Sequence, residues 1–135
     1  MTHSAGRFAP QPMRDALTRR IHAVEQAYEF MLAYAAQGLR SESGSQSGGE
    51  LRGLMQGAVE ALTGIESAID GVSQATPEFA AFRDLVAQDA SRALVAMRLV
   101  LSQPSISSEL IDNLNASMHV RTLLTDLFLL DDVLG

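Results

Sequence analysis

The chain has 135 residues, a formal net charge of −6, 47% apolar and 19% charged residues, and neither Cys nor Trp. This length fits one domain with a single core, and the few aromatic residues predict a core of aliphatic side chains and Met, as is usual in helical proteins. Because the chain has no Cys, thiol nucleophiles and thiolate metal sites are excluded, and because the cationic side chains are all Arg, catalytic lysines are excluded as well. The negative net charge argues against nucleic-acid binding.

Residues 1–12 contain Gly6, Pro10 and Pro12 and show no apolar periodicity, which predicts a flexible N-terminal arm. Phe8 is the only aromatic residue of this arm. The arm lacks the apolar stretch of a signal peptide, and no later stretch reaches the roughly 18 apolar residues of a membrane span. We therefore expect a cytoplasmic protein that does not associate with a membrane.

Two apolar repeats predict the first two helices. The first helix is predicted from Met13 to Gly38, with apolar residues at alternating spacings of four and three: Leu17, Ile21, Val24, Tyr28, Met31 and Ala35. The small, polar residues 40–49 predict a flexible connection. The second helix repeats the same spacing at Leu51, Met55, Ala58, Leu62, Ile65, Ile69 and Val72.

Gly57, Gly64 and Gly71 recur every seven residues inside the predicted second helix, in one column beside its apolar face. Each glycine in a helix interior costs about 1 kcal/mol relative to Ala, so a compensating close contact is expected. Three explanations stay open: close packing against another helix of the monomer, a symmetric dimer across this column, or a weak helix that opens. The three glycines are therefore candidate interface residues.

A capping sequence marks the start of the third helix. Thr76 can cap free backbone N–H groups, Pro77 suits the first helical position, and Glu78 favours the positive end of the helix. The sequence SQPS ends this helix, and a fourth helix is predicted from Glu109 to Leu134. The sequence thus predicts an all-α, antiparallel four-helix bundle as a single domain over residues 13–135.

The bundle also predicts a contact between charged residues. The start of the first helix and the end of the fourth would share one pole, where each charge cluster would relieve the unfavourable helix-dipole position of the other. The two clusters are Arg14, Arg19 and Arg20, and Asp126, Asp131 and Asp132.

A polar stripe on the predicted fourth helix becomes apolar near its end. The stripe consists of Asn115, His119, Thr122 and Asp126 and continues as Leu129 and Val133. The last turns are then apolar nearly all round, which is unusual for a solvated helix and predicts cover by a second subunit or another protein. Leu129 and Val133 are therefore candidate interface residues. The alternative is that the N-terminal arm, with Phe8, folds back over this end.

No arrangement of residues indicates catalysis or a bound cofactor. His22, Glu25 and Glu29 share one helical face, which we interpret as a solvated surface because the Glu-x-x-His pairs of di-iron bundles are absent. The other carboxylates are dispersed along the chain, whereas general acid–base chemistry needs groups that converge in a cleft. No catalytic, cofactor-binding or metal-binding residue is predicted.

The sequence as a whole predicts a non-enzymatic helical protein that acts through protein–protein contacts, as an adaptor, assembly factor or regulator, and forms a homodimer. Two alternatives stay open. One is a helical module that binds a small apolar ligand between its helices. The other is a helical enzyme that uses Arg and carboxylate side chains.

Overall fold

The computed structural model describes residues 10–43 and 45–135, which form six α-helices and no strand. The predicted all-α class is confirmed. The helices are α1 (Gln11–Ala35), α2 (Gln46–Leu62), α3 (Ile65–Asp70), α4 (Pro77–Leu101), α5 (Ser108–Ala116) and α6 (His119–Leu134). The arm predicted over residues 1–12 is wrong for Gln11 and Pro12, because α1 begins at Gln11, and residues 1–9 lie outside the described residues.

The predicted second helix is interrupted at Gly64, which separates α2 from α3. Gly64 has φ 73° and ψ 20°, a left-handed conformation that disfavours L side chains and suits glycine. Arg20 of α1 donates from Nη1 to the carbonyl oxygens of Ala61 and Thr63, both at 3.0 Å. These bonds satisfy carbonyl groups that the break leaves without helical partners. The prediction of one continuous helix was wrong because Gly64 ends a helix and is not part of its interior.

The predicted fourth helix is interrupted in the same way, at Met118. Met118 has φ 68°, an uncommon conformation for a residue other than glycine, and it separates α5 from α6. Ser107 caps α5, since its Oγ accepts the N–H of Leu110 at 3.0 Å. Asn115 and Asp126 therefore belong to different helices, and the predicted continuous polar stripe is wrong.

The helices share one aliphatic core. Both α1 and α4 pack against α2, α3, α5 and α6, so the two long helices enclose the four shorter ones between them. The predicted start of the third helix is confirmed, because the Oγ1 of Thr76 accepts the N–H of Phe79 at 3.1 Å. The largest fully buried side chains include Leu17, Met31, Tyr34, Met55, Ile65 and Met97. None of the helices in the described part of the chain is long and apolar enough to cross a membrane.

Polar contacts tie the end of α1 to the segment between α4 and α5. Tyr34 donates from Oη to the carbonyl of Ile106 at 2.6 Å, and Ser108 donates from Oγ to the carbonyl of Tyr34 at 2.6 Å. The backbone groups of Leu39 complete the network, because its carbonyl accepts the N–H of Ser108 at 2.8 Å and its N–H binds the Ser108 Oγ at 2.9 Å. We refer to Tyr34, residues 39–43, Arg52 and residues 101–108 as the clamped end.

An ion pair completes the clamped end. Arg52 of α2 binds both carboxylate oxygens of Glu42, at 2.8 Å from Nε and 2.5 Å from Nη2, and donates from Nη1 to the carbonyl of Leu101 at 2.8 Å. Glu42 also accepts the N–H of Ile106 at 3.0 Å. A Cβ atom at Gly48 would collide with the backbone of Glu42, so this glycine permits the close contact. The flexible connection predicted at 40–49 is thus wrong for Glu42, and α2 already begins inside it.

Candidate docking surface on α6

Close packing inside the monomer does not explain two of the three glycines in the column. A Cβ atom at Gly57 or Gly64 would have no heavy atom of the described residues within 4 Å, so no other helix packs closely on either position. Gly71 differs, because a Cβ atom there would lie 3.1 Å from the Sδ of Met13. Close packing within the monomer is therefore wrong for Gly57 and Gly64. Their role in a dimer stays a prediction.

The predicted contact between the start of α1 and the end of α6 is present for one arginine. Arg14 donates from Nη1 to the carbonyl of Leu134 at 2.7 Å, and its Nη2 lies 3.9 Å from an oxygen of Asp131. Arg20 instead binds the end of α2, as described above. The two helix ends therefore meet, although the full clusters do not.

Leu129 and Val133 lie exposed on α6, four residues apart. They are 53% and 55% exposed, respectively, and Phe128 is also exposed beside them. Both residues line a groove of about 300 Å³ between α6 and the start of α4. The apolar side chains of the groove are Phe79, Phe82, Leu129, Leu130 and Val133. The structure therefore places the two predicted interface residues beside a concave apolar surface.

The start of α4 supplies the opposite wall of this groove. The Thr76 cap fixes the first turn of α4. Phe79 and Phe82 lie three residues apart on one face of this helix, close to α6. Phe79 is buried and Phe82 is half-buried. These aromatic residues could not be identified as part of a site from the sequence, because their spacing is equally typical of a helix core. We refer to Met13, Arg14, residues 71–82 and residues 129–135 as the groove end.

The edge of the groove carries negative charge. Glu78 lies among its lining residues, and Asp131 and Asp132 are exposed near the end of α6. Arg14 offsets part of this charge, since it lies close to Asp131. A partner with an apolar side chain next to a cationic one would complement such a surface.

The apolar surface continues on the other side of α6. A second depression of about 270 Å³ lies between α6 and α1. Its apolar side chains are Tyr28, Leu32, Leu124 and Phe128. Leu32 and Phe128 are exposed, so the face of α6 presents apolar groups toward both neighbouring helices. Glu25, Glu29, Arg121 and Thr125 also line this depression, so its surface is mixed.

Two carboxylates meet where α4 packs on α6. Burial, followed by the hydrogen bond and the charge of Asp89, raises the pKa of Asp126 to about 7. The Oδ2 of Asp126 is buried and has no hydrogen-bond partner among the described residues, which fits a proton shared with Asp89. Arg92 donates to Asp89 at 3.0 Å. Neither carboxylate lines the two grooves described above.

The histidine face of α1 retains its interpretation as a solvated surface. His22 and Glu29 are exposed, and Glu25 is half-buried. Within residues 10–43 and 45–135, no three His, Asp or Glu side chains converge closely enough to hold a metal ion.

Comparison of the chain with protein families, curated proteins and solved structures finds no match. The function is therefore inferred from the geometry of the site. The clearest feature of that geometry is the exposed apolar face of α6 next to the aromatic wall of α4.

Proposed function

We propose that the protein is a non-enzymatic helical protein that acts through protein–protein contacts, as an adaptor, assembly factor or regulator, and that it forms a homodimer through α6. The observation that carries this proposal is the exposure of Leu129 and Val133, which are each more than half accessible beside an apolar groove. Full burial of such a side chain contributes about 1.5–3 kcal/mol, and a symmetric contact buries each residue twice.

The proposal includes the antiparallel four-helix bundle predicted from the sequence. In this arrangement α2 with α3 forms one member of the bundle, and α5 with α6 forms another. The contact between Arg14 and Leu134 supports it, because it joins the start of α1 to the end of α6. The shared neighbours of α1 and α4 support it as well. The exposed face of α6 would then be an outer surface that a second copy can reach.

Gly57 and Gly64 are proposed only as a secondary contact. Both positions are open in the described structure, so a helix from a second copy could approach their backbone. A surface of glycines offers little apolar area, however, and the burial of Leu129 and Val133 contributes more. We therefore place the main contact on α6.

The second candidate function is the binding of a small apolar ligand. The groove between α4 and α6 has a volume of about 300 Å³ and an aromatic wall, which supports this alternative. Ligand-binding sites start near this size, at about 300–1,000 Å³. The helical enzyme has less support, because Arg52 and Arg83 form ion pairs with Glu42 and Asp70 outside this groove.

Sedimentation velocity over a range of protein concentrations tests the proposed dimer. The test variant carries Leu129→Glu and Val133→Glu. The matched control carries Val95→Glu and Leu99→Glu, because these α4 residues are also four apart, are 66% and 65% exposed, and lie outside the described grooves. We expect a dimer for the wild type and the control, and a monomer with unchanged helical circular dichroism for the test variant.

Two results would contradict the proposed dimer. One is a wild-type chain that sediments as a monomer at every concentration. The other is a dimer that persists in the variant with Leu129→Glu and Val133→Glu. Native mass spectrometry of freshly purified protein examines the ligand alternative, which would be supported by an additional bound mass that this variant loses and the control variant retains.

A further inference from the structure

The described chain enters α1 at the groove end. Pro10 immediately precedes α1, and its carbonyl accepts the N–H of Met13 at 3.0 Å. Met13 lies against Gly71, and Arg14 contacts Leu134. Residues 1–9 therefore join the described structure beside the end of α6, where Val133 lines the groove.

We propose that Phe8 of this chain binds in the groove between α4 and α6 of the same molecule, with Arg7 next to the acidic edge. Phe8 precedes Pro10 by two residues, so an extended backbone between them spans about 7 Å and the side chain extends the reach. This short tether restricts Phe8 to surfaces around the start of α1. The groove lined by Val133 is an apolar opening at that end.

The chemistry of the segment matches that of the groove. The wall formed by Phe79 and Phe82 suits an aromatic ring, because aromatic side chains pair favourably by edge-to-face or offset contacts. Residues 1–9 contain Arg7 and no Asp or Glu, whereas the groove edge carries Glu78 and the nearby Asp131 and Asp132. Opposite charges therefore meet when Phe8 enters the groove.

Binding of Phe8 would have a consequence for the dimer. This consequence rests on the proposed function, since a second copy would contact the same Leu129 and Val133 that border the groove. The segment and the second copy then compete, and a chain that starts at Pro10 should dimerise more tightly than the chain of residues 1–135. The docked segment would thus act as an internal competitor of the protein contact.

Tryptophan fluorescence tests the binding of Phe8 directly. The chain contains no Trp, so Phe8→Trp introduces a single indole whose emission reports its environment. We expect blue-shifted emission and protection from acrylamide, both independent of protein concentration. Addition of Leu129→Glu should shift the emission to the red, whereas addition of Leu99→Glu should not. His3→Trp supplies, for comparison, the emission of an indole at an earlier position of the same segment.

The outcomes separate this inference from the proposed dimer. Emission from Phe8→Trp that equals that of His3→Trp at all concentrations would overturn the inference, whatever the sedimentation result. Protection that appears only as concentration rises would also overturn it, because the indole would then be shielded by another molecule. Concentration-independent protection in a protein that sediments as a monomer would support the inference while the proposed dimer fails.

Discussion

The two ends of the molecule are held by different interactions. At the clamped end, Arg52 and Glu42 join two helices and the segment that precedes α5 through charge-assisted hydrogen bonds. At the groove end, Phe82, Leu129 and Val133 remain partly or largely exposed and border an open groove. This difference indicates that a network of charge-assisted bonds stabilises one end, whereas the other, where Arg14 contacts Leu134 and Asp131, retains exposed apolar surface.

The largest effect is expected when the clamped end loses its arginine. Arg52→Ala removes the bonds to Glu42 and to the carbonyls of Leu101 and Gln103, and it leaves a partly buried carboxylate without its cation. Hydrogen bonds to charged groups contribute about 1.5–3 kcal/mol, but the bonds of one partly exposed guanidinium are not additive, so we expect the free energy of unfolding to fall by about 2–3 kcal/mol. Urea denaturation at pH 7 measures this loss.

Arg83→Ala is the matched control for this prediction. Arg83 also binds a carboxylate through two nitrogens, at Asp70, but this pair is more exposed to solvent. Exposed pairs contribute about 0–1 kcal/mol, so the control should remain close to the wild type. Equal losses in the two variants would show that the ion pair of Arg52 with Glu42 stabilises the fold no more than the exposed pair of Arg83 with Asp70.

The pKa of Glu42 adds a pH dependence to the clamped end. The hydrogen bond from Arg52 lowers the pKa of Glu42 more than burial raises it. The unfolded chain therefore takes up a proton at a higher pH than the folded chain, and stability falls as the pH drops through the unfolded and then the folded pKa. Arg52→Ala should weaken this loss of stability at acidic pH. Urea denaturation should therefore show a smaller stability difference between the variant and the wild type at pH 4 than at pH 7.

Substitution of Gly64 and of Gly57 by Ala should change the free energy of unfolding less, and with opposite signs. Gly64→Ala forces an L side chain into a left-handed conformation, which costs about 1–2 kcal/mol. Gly57→Ala adds a side chain inside α2 where no atom lies within 4 Å, and it should stabilise the protein by about 0.5–1 kcal/mol. Thermal denaturation of both variants gives the two signs, and stabilisation by Gly64→Ala would mean that the helix continues through this position.

The sequence predicted the elements that have local chemical signals. The Thr76 cap and the aliphatic core follow from residue types with known preferences. The break at Met118 could not be predicted, because methionine has no preference for a left-handed conformation and tertiary packing decides it. Gly64 did carry a signal, which the regular seven-residue spacing concealed.

The site was predicted in part for the same reason. Leu129 and Val133 were identified because they interrupt a polar pattern along one helix. The groove beside them requires α4 and α6 to lie together, and periodicity along a single helix does not contain that information. The contact between Glu42 and Arg52 likewise joins a short polar segment to a helix, so the composition of residues 40–49 could not reveal it.

An effect that depends on pH is expected at the carboxylate pair that lies between α4 and α6. The pKa of Asp126 is raised to about 7 by burial and by Asp89, so the folded chain keeps a proton that the unfolded chain releases at lower pH. Stability therefore decreases as the pH rises through the interval between about 4 and 7, and the loss is complete above it. Asp126→Asn cannot ionise, and its amide can donate to Asp89 in place of the shared proton.

We therefore expect Asp126→Asn to be more stable than the wild type at pH 8, with the difference shrinking toward pH 5. Asp132→Asn removes one carboxylate from an exposed position of the same helix and separates the effect of net charge from that of the pair. Urea denaturation at the two pH values measures the changes. If Asp126→Asn lowers stability at pH 8 while Asp132→Asn leaves it unaltered, the carboxylate of Asp126 stabilises the packing of α4 on α6 in its charged form.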